Sequence, residues 1–392
     1  MFSKGTSITI ASKLVILFVN FFLVVLSAQI WGSEGRGEIA LVIANIAIIT
    51  IIANITCGST VAFHAPRMGR DELMGVALIG ALVLSVTSSL IFSLILGFEY
   101  FWHLFIISAL MSLSNSVSLY WLGRENIKWY NLLTLIVPIA ILGFLALLYY
   151  SYGITSVDAF FYAYYFAYAF VLITGIIGLA GKERFRWPGI SLSGVKKIVG
   201  YGFSNELNYF IQFLNYRLTY FFIEEWLGLS PLGVFSVSVS IAEAIWVVSK
   251  SLSVIHFSKV VNSPNQYANI QRTKVLARQS LWVSLAIIAL LIVTPQSLFV
   301  FIFGNDFVDV KQFTIYLIPG IIAIAVSNLY GHYFAGIGKL NILRNKSLIG
   351  LTATLILSLI LIPKYHLLGA CITLNVSHIL SSGYLWYRFQ KQ

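Results

Sequence analysis

Apolar runs about as long as a bilayer is thick follow one another along almost the whole chain. A helix needs about 20 apolar residues to cross the hydrocarbon core. Such runs read at 9–31, 38–62, 73–97, 100–122, 129–150, 157–180, 199–223, 232–254, 280–303, 313–336, 343–362 and 367–387. The pattern predicts an all-α polytopic membrane protein of about 12 transmembrane helices. Only the connections 63–72, 181–198 and 255–279 are long, and none could hold a soluble domain. Composition agrees, with 59% hydrophobic and 10% charged residues, where a soluble domain carries about 25% charged. Met1-Phe2-Ser3-Lys4 leads into the first apolar run without a small-residue cleavage site, which reads as a membrane helix rather than a signal peptide.

An even number of spans puts both termini on one side. Of the 25 lysines and arginines, only Arg36, Lys311 and Lys364 fall on the other side, and Arg217 lies within a span. The rest crowd the loops and flanks on the side of the termini, which the positive-inside rule makes cytoplasmic. The acids Glu34, Glu38, Glu99, Asp158, Glu224, Glu225, Asp306 and Asp309 gather on the opposite side. The net charge of +11 therefore reads as topology and attraction for anionic membrane lipids, not as a nucleic-acid surface. Cys57 and Cys371 lie in apolar runs and read as small buried hydrophobes, not a disulfide or a metal site.

The halves echo each other. Trp31-Gly32 precedes Gly37 as Trp226-Leu227-Gly228 precedes Gly233, and Ser114-Asn115 precedes Gly123 as Ser327-Asn328 precedes Gly336. Six spans restore the starting side, so a duplication of six predicts two parallel, pseudo-symmetric six-helix lobes around a central cavity. The expected division is an N-terminal lobe at 1–180, a basic cytoplasmic linker at 181–198 and a C-terminal lobe at 199–392.

Polar groups inside spans mark candidate chemistry, because they are costly there and face a protein interior or a wet cavity. At about 100° per residue, Asn205, Asn208, Tyr209, Gln212, Asn215, Tyr216, Thr219 and Tyr220 share one arc of the seventh span, with Glu206 and Arg217 at its edge. The arc reads as the lining of a watery path or as interhelical hydrogen bonding. Arg217 is a candidate substrate contact, its guanidinium fork suited to an anion; otherwise it snorkels outward or pairs with Glu224 or Glu225. Glu243 and Glu206 are candidate coupling groups, or carboxyls that hold helices together. Lys13, Asn20 and Ser27 form a seven-residue stripe on the first span, and Lys250 shares a face with Glu243. Lys13, Asn20, Asn208, Gln212, Asn215 and Lys250 join Arg217 as candidate substrate-binding residues. No G-x-x-x-x-G-K-[ST] motif, metal cluster or Ser-His-Asp arrangement occurs, so neither catalysis, cofactor nor metal is expected.

Asn215-Tyr216-Arg217-Leu218-Thr219, then Leu227-Gly228, then Gly233-Val234-Phe235-Ser236-Val237 through Ala242-Glu243 resembles the seventh and eighth spans of polysaccharide flippases in the multidrug/oligosaccharidyl-lipid/polysaccharide exporter superfamily. Phe303-Gly304-Asn305-Asp306-Phe307, Ala335-Gly336-Ile337-Gly338-Lys339 and Leu368-Gly369-Ala370 look like further borders of that family. Thr219 and Phe235 stand where the family often has Asp and Tyr, which puts cation coupling through Thr219 in doubt. The resemblance implies a bacterial cytoplasmic (inner) membrane protein that carries undecaprenyl-diphosphate-linked glycan units of O-antigen, capsule or a similar polymer to the periplasmic leaflet. It also implies contact with other polysaccharide assembly proteins. A drug or cation exporter of the same superfamily is the alternative, and a membrane polysaccharide polymerase a more distant one.

Overall fold

In the computed structural model, residues 4–180, 191–263 and 265–392 are described, and among them every regular element is helical. The order is α1 (Lys4–Ala53), α2 (Ser59–His64), α3 (Arg70–Leu96), α4 (Phe101–Gly123), α5 (Ile127–Ala146), α6 (Asp158–Ala180), α7 (Leu192–Leu227), α8 (Leu229–Val261), α9 (Gln266–Val293), α10 (Gln296–Phe303), α11 (Val310–Tyr316), α12 (Ile318–Gly336) and α13 (Leu340–Gln390). Nine helices among the described residues are long and apolar enough to cross a bilayer. Two of them are bent pairs: α1 breaks at Gly32, φ +62°, and α13 at His366, φ +52°. Each pair supplies two crossings, and α7, too polar to count on hydropathy, is 36 residues long. The chain is thus an all-α, multi-pass membrane protein of about 12 crossings.

The break at Gly32 has a chemical cause. Glycine takes the left-handed backbone without a Cβ penalty, and the N–H of Ser33 beyond it donates to Asp306 Oδ2 at 3.1 Å. A carboxylate thus caps the restarted helix, where orphan N–H groups and the helix dipole favour negative charge.

The chain forms two compact units, one of Met1–Leu23 with Leu41–Phe210 and one of Val24–Ala40 with Ile211–Gln392. The borders cut through α1 and α7, whereas the sequence suggested a division in 181–198; residues 181–190 of that connection, with Lys182, Arg184 and Arg186, lie outside the described residues. In the first unit, Cys57, Val61, Leu73, Ala77, Tyr120 and Ile198 form a core cluster, and Trp121 stacks on Trp129 at 5.8 Å. Cys57 Sγ donates to the Ala77 carbonyl at 3.1 Å, so this thiol is a packed core group. In the second unit, Val260, Leu329, Tyr333, Phe334, Leu385 and Phe389 form the corresponding core. The repeat-related glycines meet there: a Cβ on Gly37 would strike the Leu229 carbonyl, and one on Gly233 the Ser33 carbonyl. The two turns that looked alike in sequence are crossing points of one packed contact.

Several boundaries differ from the sequence reading. Most of the connection 255–279 is helical, since α8 runs to Val261 and α9 starts at Gln266 with Asn265 Oδ1 accepting from the Ala268 N–H at 2.9 Å. The ninth span is therefore not 280–303 but lies on α9, which stops at Val293 before Pro295; α10 is a separate short helix. The reason is that a helix carrying Arg272, Lys274 and Arg278 beyond the apolar zone reads as loop when only apolar length is counted. The second span breaks at 54–58, where Gly58 has φ +56°.

Candidate functional site

In the first unit, α7 presses on the α1–α2 break so closely that a Cβ on Gly202 would enter the Ile55 carbonyl. That approach brings Glu206 to the start of α2. Glu206 is 4% exposed; its Oε1 accepts from Ser59 Oγ at 3.0 Å and Asn205 Nδ2 at 2.9 Å. Two residues on in the arc, Asn208 is exposed and donates to the Ser204 carbonyl at 2.9 Å. Lys13 and Asn20 on α1 are also exposed.

In the second unit, the central feature is a fork-to-fork ion pair. Arg217 Nη1 donates to Glu243 Oε1 at 2.7 Å and Nη2 to Oε2 at 3.0 Å. The side chains are 25% and 29% exposed. Two parallel charge-assisted bonds are the strongest geometry open to a guanidinium and a carboxylate. The Tyr220 ring lies 5.1 Å from the Arg217 guanidinium carbon, within cation–π range. Tyr216, Trp246 and His378 cluster with centroids 5.6 to 6.2 Å apart, His378 edge to face with both other rings. Together with Arg217 and Glu243 these rings border a cavity of about 20 Å³, room for about one water.

The sequence reading gave Arg217 and Glu243 separate roles and offered Glu224 or Glu225 as the arginine's partner. The structure joins Arg217 to Glu243 instead, across two helices, a pairing that helical periodicity within one helix cannot reveal. Asn215 also departs from its expected place on a path wall. It is 2% exposed, and its Oδ1 accepts from Thr354 Oγ1 at 3.1 Å and Ser377 Oγ at 2.8 Å. Ser377 also donates to the Gly350 carbonyl at 2.9 Å. Gln212 and Lys250 are exposed. Thr354, Ser377, Trp246 and His378 were not singled out from sequence. The only available signal was Thr373, Ser377 and Ser381 recurring every four residues on α13, one polar helical face. Among the described residues, no three His, Cys, Asp or Glu side chains converge to hold a metal ion.

The helices and their breaks give a fold shared with solved structures. The chain superposes on the lipid II flippase MurJ in an inward closed conformation with a TM-score of 0.78 at 14% identity, covering 97% of this chain and 87% of that one. It superposes on an inward-facing multidrug resistance MATE family transporter of the MOP superfamily with a TM-score of 0.74 at 14% identity, covering 97% and 98%. At such identity the likeness is one of fold. Over 180 residues the chain is 26% identical to the capsular polysaccharide biosynthesis protein CapF of Staphylococcus aureus; the match spans 45% of this chain and 46% of CapF, less than half the length of that relative. No family model matches.

Proposed function

We propose that the chain is a transporter, not an enzyme: a flippase that carries undecaprenyl-diphosphate-linked oligosaccharide units from the cytoplasmic to the periplasmic leaflet by alternating access. The observation that carries this reading is the sign of the charge left exposed among the candidate residues. Lys13 and Lys250 are exposed, whereas Glu206 is buried under two hydrogen bonds and Glu243 is held by Arg217. An exposed lysine suits an anion, and each unit carries one. Exposed Asn20, Asn208 and Gln212 add polar groups that lipid tails would reject and that sugars can use. The names of two relatives, a lipid II flippase and a capsular polysaccharide protein, support the same substrate class. Arg217 reaches a diphosphate only by exchanging it for Glu243, which makes that pair the proposed switch and Glu243, with Glu206, the candidate coupling groups. The distribution of basic residues supports an inner-membrane location with both termini cytoplasmic, and membrane lipids and other assembly proteins as partners.

The likeness to a multidrug transporter supports drug or cation export to the same degree at the level of fold. One experiment separates the two. In proteoliposomes holding a fluorescent undecaprenyl-diphosphate oligosaccharide, the purified protein should make the outer-leaflet pool exchange with the inner one. Exchange no faster than in empty vesicles, together with gradient-driven uptake of a cationic dye, would replace the flippase by an exporter.

A further inference from the structure

The first unit contains an apolar groove that the proposed transport path does not use. Its walls are α3, through Arg70 and Leu78, and α6, through Ile176 and Leu179; its floor is α4, through Leu113 and Val117. The cavity is about 210 Å³. Apolar cavities of about 150 Å³ accept apolar ligands, and apart from Arg70 this one is lined by apolar side chains. The groove opens past Ile176, 51% exposed, onto flanks where Ile79 and Val83 of α3 and Ile173 and Ile177 of α6 are exposed. In a multi-pass membrane protein, such aliphatic flanks adjoin lipid tails.

One end of the groove is charged. Arg70 Nε donates to Asp71 Oδ1 at 2.7 Å, and Nη1 reaches across to the Leu179 carbonyl at 3.3 Å, tying the start of α3 to the end of α6. The start of α7 adjoins that of α3: Ser191 Oγ donates to Glu72 Oε1 at 2.5 Å, Val195 packs on the Cys57, Leu73 and Ile198 core as Met74, Leu113 and Leu179 do, and Lys196 and Lys197 beside it are exposed. From Arg70 to Leu78 the wall runs about 12 Å along α3. A hydrocarbon slot with cations at one end matches the two parts of an anionic lipid, and basic pockets between spans on the cytoplasmic side recognise such headgroups.

We propose that this groove binds one anionic phospholipid, an acyl chain lying on Leu113 and Val117 and the phosphate headgroup beside Arg70, Lys196 and Lys197. The lipid is a structural ligand of the first unit, held apart from the translocated substrate. Native mass spectrometry of the full-length protein in mild detergent tests this, with phosphatidylglycerol and phosphatidylcholine of identical chains as probes. A single phosphatidylglycerol adduct should persist in preference to phosphatidylcholine. Leu78→Trp or Ile176→Trp, which fill the groove from opposite walls, should remove the adduct, whereas Leu94→Trp, at an exposed position of α3 beyond the groove, should not. Lys196→Gln with Lys197→Gln should keep a lipid adduct but reduce the preference by about fivefold per lysine lost. Monodisperse Leu78→Trp and Ile176→Trp proteins that keep the adduct would overturn the site. Equal retention of both lipids by the wild type would overturn the headgroup assignment, and displacement of phosphatidylglycerol by equimolar undecaprenyl phosphate would give the groove to the carrier lipid instead.

Discussion

Replacing Arg217 by Gln leaves the Glu243 carboxylate in a site built to receive two N–H groups. Removing one partner of a buried pair costs about 3–5 kcal/mol, because the other charge stays desolvated and unpaired. Here the two side chains keep 25% and 29% of their exposure, so water returns part of that loss and the lower end, about 3 kcal/mol, applies. That is roughly a hundredfold in folded population. Glu243→Gln should cost a similar amount for the mirror-image reason. The double variant removes both charges, so its loss should fall short of the summed single losses by about 2–3 kcal/mol. Reversible unfolding in mixed micelles gives the four free energies, and the same four proteins in the leaflet-exchange assay separate stability from transport. Additive single losses would refute the pair as an energetic unit. A stable, transport-dead Arg217→Gln beside a stable, active Glu243→Gln would refute the switch and leave Arg217 acting alone on the substrate.

Reporter fusions at positions 190 and 265 should read cytoplasmic and one at Ser230 periplasmic; a periplasmic reading at 190 contradicts the orientation. Single cysteines at Asn20, Asn208 and Gln212 should react with a hydrophilic thiol reagent, while one at Asn215 stays inert because Thr354 and Ser377 enclose it; the native Cys57 and Cys371 are buried and give no background. Gly233→Ala should lower thermal stability by at least about 1–3 kcal/mol, the usual cost of overpacking, because its Cβ meets the Ser33 carbonyl, a backbone atom that cannot turn aside; an unchanged midpoint argues against that crossing. Beyond the span of α8, burial and then the positive charges of Arg272 and Lys259 push the His256 pKa from 6.5 down to about 4. The unfolded chain then binds the proton first. Stability from this group is full above pH 6.5 and is lost as pH falls toward 4. His256→Gln should flatten the melting-temperature profile over that window, and a slope as steep as the wild type's would exclude His256 as its source.

What the sequence made legible is what the bilayer enforces. In hydrocarbon every backbone group must be satisfied within its own helix, so apolar length alone reports the crossings, and α3 to α6 stand close to where the runs placed them. The same rule fails wherever a helix leaves the hydrocarbon. The amphipathic start of α9 lies outside the apolar zone, so hydropathy counted Asn265 to Gln279 as loop although Asn265 caps a helix there. Polar side chains were legible as a face but not as partners. The arc of α7 grouped Asn215 with Gln212, yet Asn215 is enclosed by α13 and Gln212 is exposed. One helix's periodicity states which residues share a direction and nothing about what lies in that direction. The ion pair shows the same boundary. Arg217 and Glu243 were each conspicuous as charges in apolar surroundings, and either alone is expensive there. Two such costs on successive spans are most simply cancelled by each other, an inference open to sequence reasoning once both residues are placed at comparable depth. Gly228 is the hinge of that argument. It ends α7 with φ +90°, turning the chain back at once so that Arg217, about 16 Å before it, and Glu243, about 22 Å beyond it, lie within about 6 Å in depth on adjacent helices. The tight glycine turn first read as a repeat marker is therefore also what makes the charge pair possible.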